Sequence, residues 1–175
     1  MSLAVGLAGL VGCSSGGGGA REERALPERI AVSSAAFGAG GAIPRRFSCA
    51  GENVSPPLRW SGVPDGTAAV ALVVDDPDAP RGTFVHWVVV GLDPATARLG
   101  QGKVPAGARQ LPNSAGKAAW TGPCPPSGPA HHYRFTVYAL TRQPEMAGDA
   151  DPQAAVEAIE AAASARGRLV GTFSR

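Results

Sequence analysis

Apolar and polar positions alternate in several distinct ways along the chain, and each pattern marks an element. From Ile30 onward the apolar runs are short and bounded by glycine, proline or aspartate: "RIAVSSAAF", "IPRRFSC", "AAVALVVD", "TFVHWVVVGL", "HHYRFTVYAL" and a closing "RLVGTFS". Runs of that length with such boundaries predict β-strands. Ala68 to Val74 and Val85 to Val90 are apolar on both parities, the pattern of strands covered on both faces, and are expected at the centre of a sheet. "HHYRFTVYAL" alternates instead. His131, Tyr133, Phe135, Val137 and Ala139 form the set expected to face a core, while His132 and Arg134 face water.

Helical signals concentrate in "DPQAAVEAIEAAASARG". Asp151 is placed to cap it, Pro152 to open it, and Gly167 to end it after Arg166. Val156 and Ile159 give a narrow apolar stripe, which predicts a peripheral helix laid on a sheet edge. From Asp93 to Pro129 no period persists, and irregular segments of that length are commonly functional. Its prolines fix φ and its glycines allow close backbone approach, so the segment reads as a rigid loop. Together these elements predict an all-β fold, an antiparallel Greek-key-type β-sandwich with one short peripheral C-terminal helix.

At 175 residues the chain is the size of one domain with one principal core. The formal net charge is only +2 and the arginines are scattered, which leaves nucleic-acid binding without support. The first residues, "MSLAVGLAGLVGCSSGGGGAREERALPE", differ from the rest. They read as a lipoprotein-type signal and flexible Gly/Ser linker over residues 1–28, ahead of a folded domain over 29–175. "LVGC" resembles a lipobox in which Cys13 receives lipid, and the apolar run is too short to span a bilayer. No Lys or Arg precedes that run, a departure from the ordinary signal pattern. The expectation is an exported protein of the bacterial cell envelope, held to the membrane by a lipid anchor on Cys13. Cys49 and Cys124 then remain, an even number in an oxidising compartment. Whether they are bonded depends on whether "FSCAGENVSPP" and "TGPCPPSGP" share one end of the fold.

The hairpin "VVDDPDAPRGTFVHWVVV" carries the candidate chemistry. If Ala69 to Asp75 pairs with Phe84 to Val90, Asp76 and His86 sit at one end with geometry for a hydrogen bond between them. His86 shares parity with Phe84, Val88 and Val90, and His131 and Tyr133 enter the neighbouring buried face. Three rings and one carboxylate then border a small opening. Asp78 reads as a turn residue. Asp76, His86 and His131 resemble a zinc triad in type but lack the close spacing of zinc motifs, and no metal is assigned. Cys124 and Ser127 precede His131 without a nucleophile elbow or triad signature, so no catalytic residue is assigned either.

"ENVSPPLRWSG", "DPDAP", "FVHW" and "GPCPPSGPAHHYRFTVYAL", in that order, resemble the phosphatidylethanolamine-binding protein family in its bacterial, Raf-kinase-inhibitor-like branch. The resemblance runs from about Ile30 to Arg175. It implies a β-sandwich with a pocket for a small anionic or phosphate-bearing ligand such as a phosphoethanolamine headgroup. It places the pocket at Asp76, His86, Gly122, Pro125, Pro126, His131 and Tyr133. One position departs: the family has His-Arg-Tyr where this chain has His131, His132, Tyr133, and parity turns the changed residue outward. The chain also ends at "GTFSR" without the further C-terminal helix of larger eukaryotic members, so their ligand preferences do not carry over. The expected function is that of a binding module, not an enzyme, with no cofactor. Inhibition of a protease or kinase through the same pocket and an uncharacterised hydrolase are the alternatives.

Overall fold

The computed structural model describes residues 26–175, so Cys13 and nearly all of the signal and linker segment lie outside the described residues. The elements run β1 (Ala31–Ser33), β2 (Leu58–Ser61), β3 (Ala69–Asp76), β4 (Phe84–Leu92), β5 (Arg98–Leu99), β6 (Arg109–Leu111), β7 (His131–Leu140), α1 (Pro152–Ala162) and β8 (Ala163–Phe173). They form two antiparallel sheets, β1-β2-β5 and β6-β4-β3-β7-β8. In the larger one β3, β4 and β6 lie side by side, and the chain then returns through a long connection to set β7 beside β3. That order is a Greek key.

The sheets face each other across one apolar layer, in which Leu58, Trp60 and Leu99 meet Val70, Leu72, Val74, Phe135 and Val137. A second layer covers the outer face of the large sheet, where Ala155, Ile159 and Ala162 of α1 lie with Ala71, Val73, Val88, Val90 and Tyr138. β3 and β4 are apolar on both parities because each has a sheet on one side and a helix on the other.

Four expectations need correction. α1 lies on the outer face of the sheet, against β4 and β7, and not on its edge. It also stops at Ala162, where Ala163 turns to ψ 142° and the chain continues directly into β8. β8 pairs with β7 from His131↔Phe173 to Leu140↔Ala163, and the ladder overrides the helix propensity of "AAASAR". Gly167 accordingly caps nothing. It lies inside β8, where a Cβ would sit 1.7 Å from the Ile30 carbonyl oxygen. "IPRRFSC" forms a 3-10 turn over Arg45–Phe47 and not a strand, closed by the Phe47 and Ser48 amides onto the Pro44 and Arg45 carbonyls. The segment from Asp93 to Pro129 is not wholly irregular, since β5 and β6 lie within it.

Gly167→Ala is expected to cost about 3 kcal/mol of stability, because the added methyl meets backbone that cannot move aside. Gly148→Ala, where a Cβ meets nothing within 4 Å, is expected to stay within about 0.5 kcal/mol of the parent protein. Urea unfolding of the two variants checks the difference.

Candidate functional site

The site is built at the turn end of the β3–β4 hairpin. Pairing runs Val74↔Trp87 and then Asp75↔Val85, so His86 is an extra residue opposite no partner: a β-bulge. Val85 and Val88 face the helix-covered layer, while Trp87 joins the layer between the sheets. The bulge turns the His86 ring onto the inter-sheet side as well, in edge contact with Tyr133 at 5.2 Å between centroids. His86 thus shares no face with Val88 and Val90, contrary to the simple parity reading.

Asp76 ends β3 almost fully buried. Its Oδ2 accepts from Nδ1 of His131 at 2.8 Å, and its Oδ1 accepts the Asp78 amide at 2.8 Å. The expected Asp76 to His86 bond is absent among the described residues. On β4 it is Phe84, not His86, that stands opposite Asp76, and on the other side of β3 the register that sets Asp75 against Arg134 leads the start of β7 past it. His86 Nδ1 is instead 2.6 Å from the Thr121 carbonyl oxygen. Neighbouring carboxylates repeat the motif: Asp75 takes both arms of the Arg134 guanidinium, and Asp78 Oδ2 accepts from His132 Nδ1 at 2.7 Å and from the His132 amide at 2.8 Å. The His132 amide and imidazole hold the Asp78 carboxyl below its usual range. Asp78 therefore ties its turn to β7 as well as shaping the turn itself.

A cavity of about 160 Å³ lies over these groups, lined by Asp76, Phe84, His86, Thr121, Pro125 and His131 among others. Ala79, Pro80, Gly122, Cys124 and Pro126 complete the wall. The loop from Thr121 to Pro126 is held from two sides. Cys124 is disulfide-bonded to Cys49, with Cα atoms 5.4 Å apart, which answers the question left open by sequence. Asn53, in the left-handed region at φ 55°, accepts the Gly122 amide on its Oδ1 at 2.8 Å. Gly122 has a packing reason to be glycine, because a Cβ there would stand 2.3 Å from the Phe47 carbonyl oxygen.

Asn113 is the other organiser and went unrecognised in the sequence. Its buried amide donates to the Ala119 carbonyl and the Thr121 hydroxyl at 2.8 Å and to the His86 carbonyl at 3.2 Å. Its Oδ1 accepts from the Ala115 and Lys117 amides. One side chain thereby joins the bulge to the loop that faces it. The available signal was an asparagine in "LPNSAGK", a composition that favours side-chain to backbone bonds.

Of the residues expected at the site, Asp76, His86, Gly122, Pro125, Pro126 and His131 line the cavity. Tyr133 stands behind the His86 ring, with its hydroxyl buried and unbonded. Burial and the Asp76 carboxylate raise the Tyr133 phenol well above its usual range. Among the described residues no three His, Cys, Asp or Glu side chains gather into a metal-holding group.

Comparison with known proteins bears on this arrangement. The sequence pattern of the phosphatidylethanolamine-binding protein family matches residues 33–174. The chain belongs to that family. It is 44% identical to the Mycobacterium tuberculosis lipoprotein candidate LppC over 180 residues, covering 94% of this chain and 89% of LppC. It is 47% identical to a UPF0098 protein of Mycobacterium bovis over 156 residues, covering 86% of this chain and 75% of that one. Among solved structures it is similar to Escherichia coli YbcL, described as a new member of the mammalian PEBP family. The match has a TM-score of 0.78 at 33% identity, covering 84% of this chain and 99% of YbcL. Against the family's usual His-Arg-Tyr, His132 lies outside the cavity with its side chain 58% exposed.

Asn113→Ala is expected to cost about 2 to 3 kcal/mol, because it strands carbonyls and amides that no water reaches freely. Chemical denaturation measures this. Burial pushes the His86 imidazole below its ordinary value of 6.5, against the opposing pull of the Thr121 carbonyl and of Asp76. A depressed folded-state value means that the neutral ring favours the fold above the unfolded value, and that this contribution is lost as acid protonates the folded ring. The His86 ring signals in a proton NMR titration should therefore move at lower pH than those of free imidazole, with stability declining over the same interval.

Proposed function

We propose that this family member binds a small phosphate-bearing or otherwise anionic group in the cavity over Asp76, His86 and His131, without turning it over. Two imidazoles, one backed by a buried carboxylate, converge on a small half-open niche, and that convergence carries the reading. A buried imidazole with a lowered pKa beside a second imidazole in one cavity is a usual mark of a binding site. The volume equals about five waters at ~30 Å³ each, room for one phosphoryl group and little more. Two charge-assisted hydrogen bonds of about 1.5 to 3 kcal/mol each, less the cost of association, give an affinity near millimolar for bare phosphate. The rest of a larger ligand, lying outside the cavity, supplies the remainder.

Two observations favour binding over turnover. The Cys124 sulfur at the cavity wall is held in a disulfide and has no thiolate to attack with. The Thr121 hydroxyl is engaged by Asn113. The name of the relative LppC supports export and lipid anchoring through Cys13, which would bring the cavity to a membrane surface rich in phosphate groups.

Titrating the protein with phosphate and with phosphoethanolamine while following the histidine ring resonances tests the proposal. His86 and His131 are expected to shift and His132 to stay in place. Three unmoved rings at tens of millimolar ligand would refute it.

A further inference from the structure

The cavity is poor in hydrogen-bond donors. Pro125 and Pro126 have no amide hydrogen, the Gly122 amide is spent on Asn53, and Ala79, Pro80 and Phe84 present carbon. The Tyr133 hydroxyl is sealed behind His86. The Nε2 atoms of His86 and His131 are the ring nitrogens left for a ligand, and neither has a partner among the described residues.

The opposite side of each ring sets what its Nε2 offers. A backbone carbonyl can only accept, so the 2.6 Å contact between His86 Nδ1 and the Thr121 oxygen requires the proton on Nδ1. The ring is 5% exposed and enclosed by Phe84 and Tyr133. The titratable groups around it are Asp76 and Asp75 on β3 and His131 and Tyr133 on β7. The two aspartates favour its charged form, while burial and His131 oppose it, and burial dominates. At neutral pH the ring is uncharged and Nε2 turns a lone pair toward the cavity. His131 donates its Nδ1 proton to Asp76, whose carboxylate can only accept.

A fully ionised anion would meet a lone pair where it needs a donor. We infer that the cavity takes its anion together with one proton, and that its preferred ligand is a phosphomonoester monoanion whose P–OH donates to His86 Nε2. This inference rests on the anion-binding reading above and adds the ionisation state of the ligand to it. His131 meets the remaining phosphoryl oxygens as a donor when its Nε2 also carries a proton, the cation then being paired with Asp76. A phosphodiester carries no such hydrogen and binds only when solvent supplies a proton to His86. The same headgroup chemistry therefore divides by source: a free phosphorylated headgroup is a monoester, and the intact lipid is a diester.

Calorimetry on the folded protein separates these cases, with phosphoethanolamine as the monoester and glycerophosphoethanolamine as the diester. At pH 7.5 a monoester is mainly dianionic, with a second pKa of about 6. Its binding should therefore draw at least about one proton from the buffer, read by repeating the titration in buffers of different ionisation enthalpy. The diester should bind at least about tenfold more weakly at pH 7, with the gap narrowing as pH falls. Equal affinity for both ligands with no proton uptake overturns the inference and leaves anion binding standing. Binding of neither overturns both. His86→Gln, checked for folding by its thermal transition, turns a permanent amide donor toward the cavity, and should bring the two ligands to within about twofold of each other. If that variant does not fold, the parent protein's proton uptake decides the question.

Discussion

The bond between the Asp76 carboxylate and His131 Nδ1 is the constraint on which the site depends. A carboxylate buried this deeply is tolerable only when it is fully hydrogen-bonded, and both of its oxygens are engaged, one by the imidazole and one by its own turn. That requirement fixes the end of β3 relative to the start of β7 and the path of the chain through the turn. Asp75 and Asp78 repeat the cross-link on either side, with Arg134 and His132. The hairpin end is therefore anchored by three acid–base pairs to a strand that follows it only after a long excursion.

The opposite wall is built by different means. A disulfide, one asparagine in a left-handed conformation and a second asparagine with a saturated amide hold the proline-rich loop where the bulged strand can reach it. Few of these contacts are apolar. The inter-sheet layer, which holds Trp87, Tyr133 and Phe135, reaches the site through Tyr133, whose ring meets the His86 ring edge-on. The site is thus stiff because of its polar cross-links, and its shape should respond to changes in those more than to changes in the core.

Much of this could be read from the sequence, and the failures have physical causes. Period-two alternation in "HHYRFTVYAL" correctly turned His131 and Tyr133 inward, and two-faced apolar runs correctly made β3 and β4 central. The same parity rule failed at His86, because a bulge inserts one residue and reverses every face beyond it, and nothing in "FVHW" announces a bulge. The helix end failed for a tertiary reason: "AAASAR" is a good helix former, and only the length of the β7 ladder turns it into strand. A trace was present, since small or apolar residues recur at alternate positions through Ala163, Ala165, Gly167, Leu169 and Gly171. Which acid meets which histidine depends on register between strands far apart in sequence, and a single sequence does not contain it.

The Cys49–Cys124 bond spans 75 residues, linking two loops that no strand pairing brings together directly. In a chain-entropy view, closing a loop of that size disfavours the unfolded ensemble by about 4 kcal/mol. Such bonds do not persist where glutathione keeps thiols reduced. The cysteine-bearing wall of the niche is therefore complete only where an oxidant has closed that bond, which ties the shape of the recess to the redox state of its surroundings.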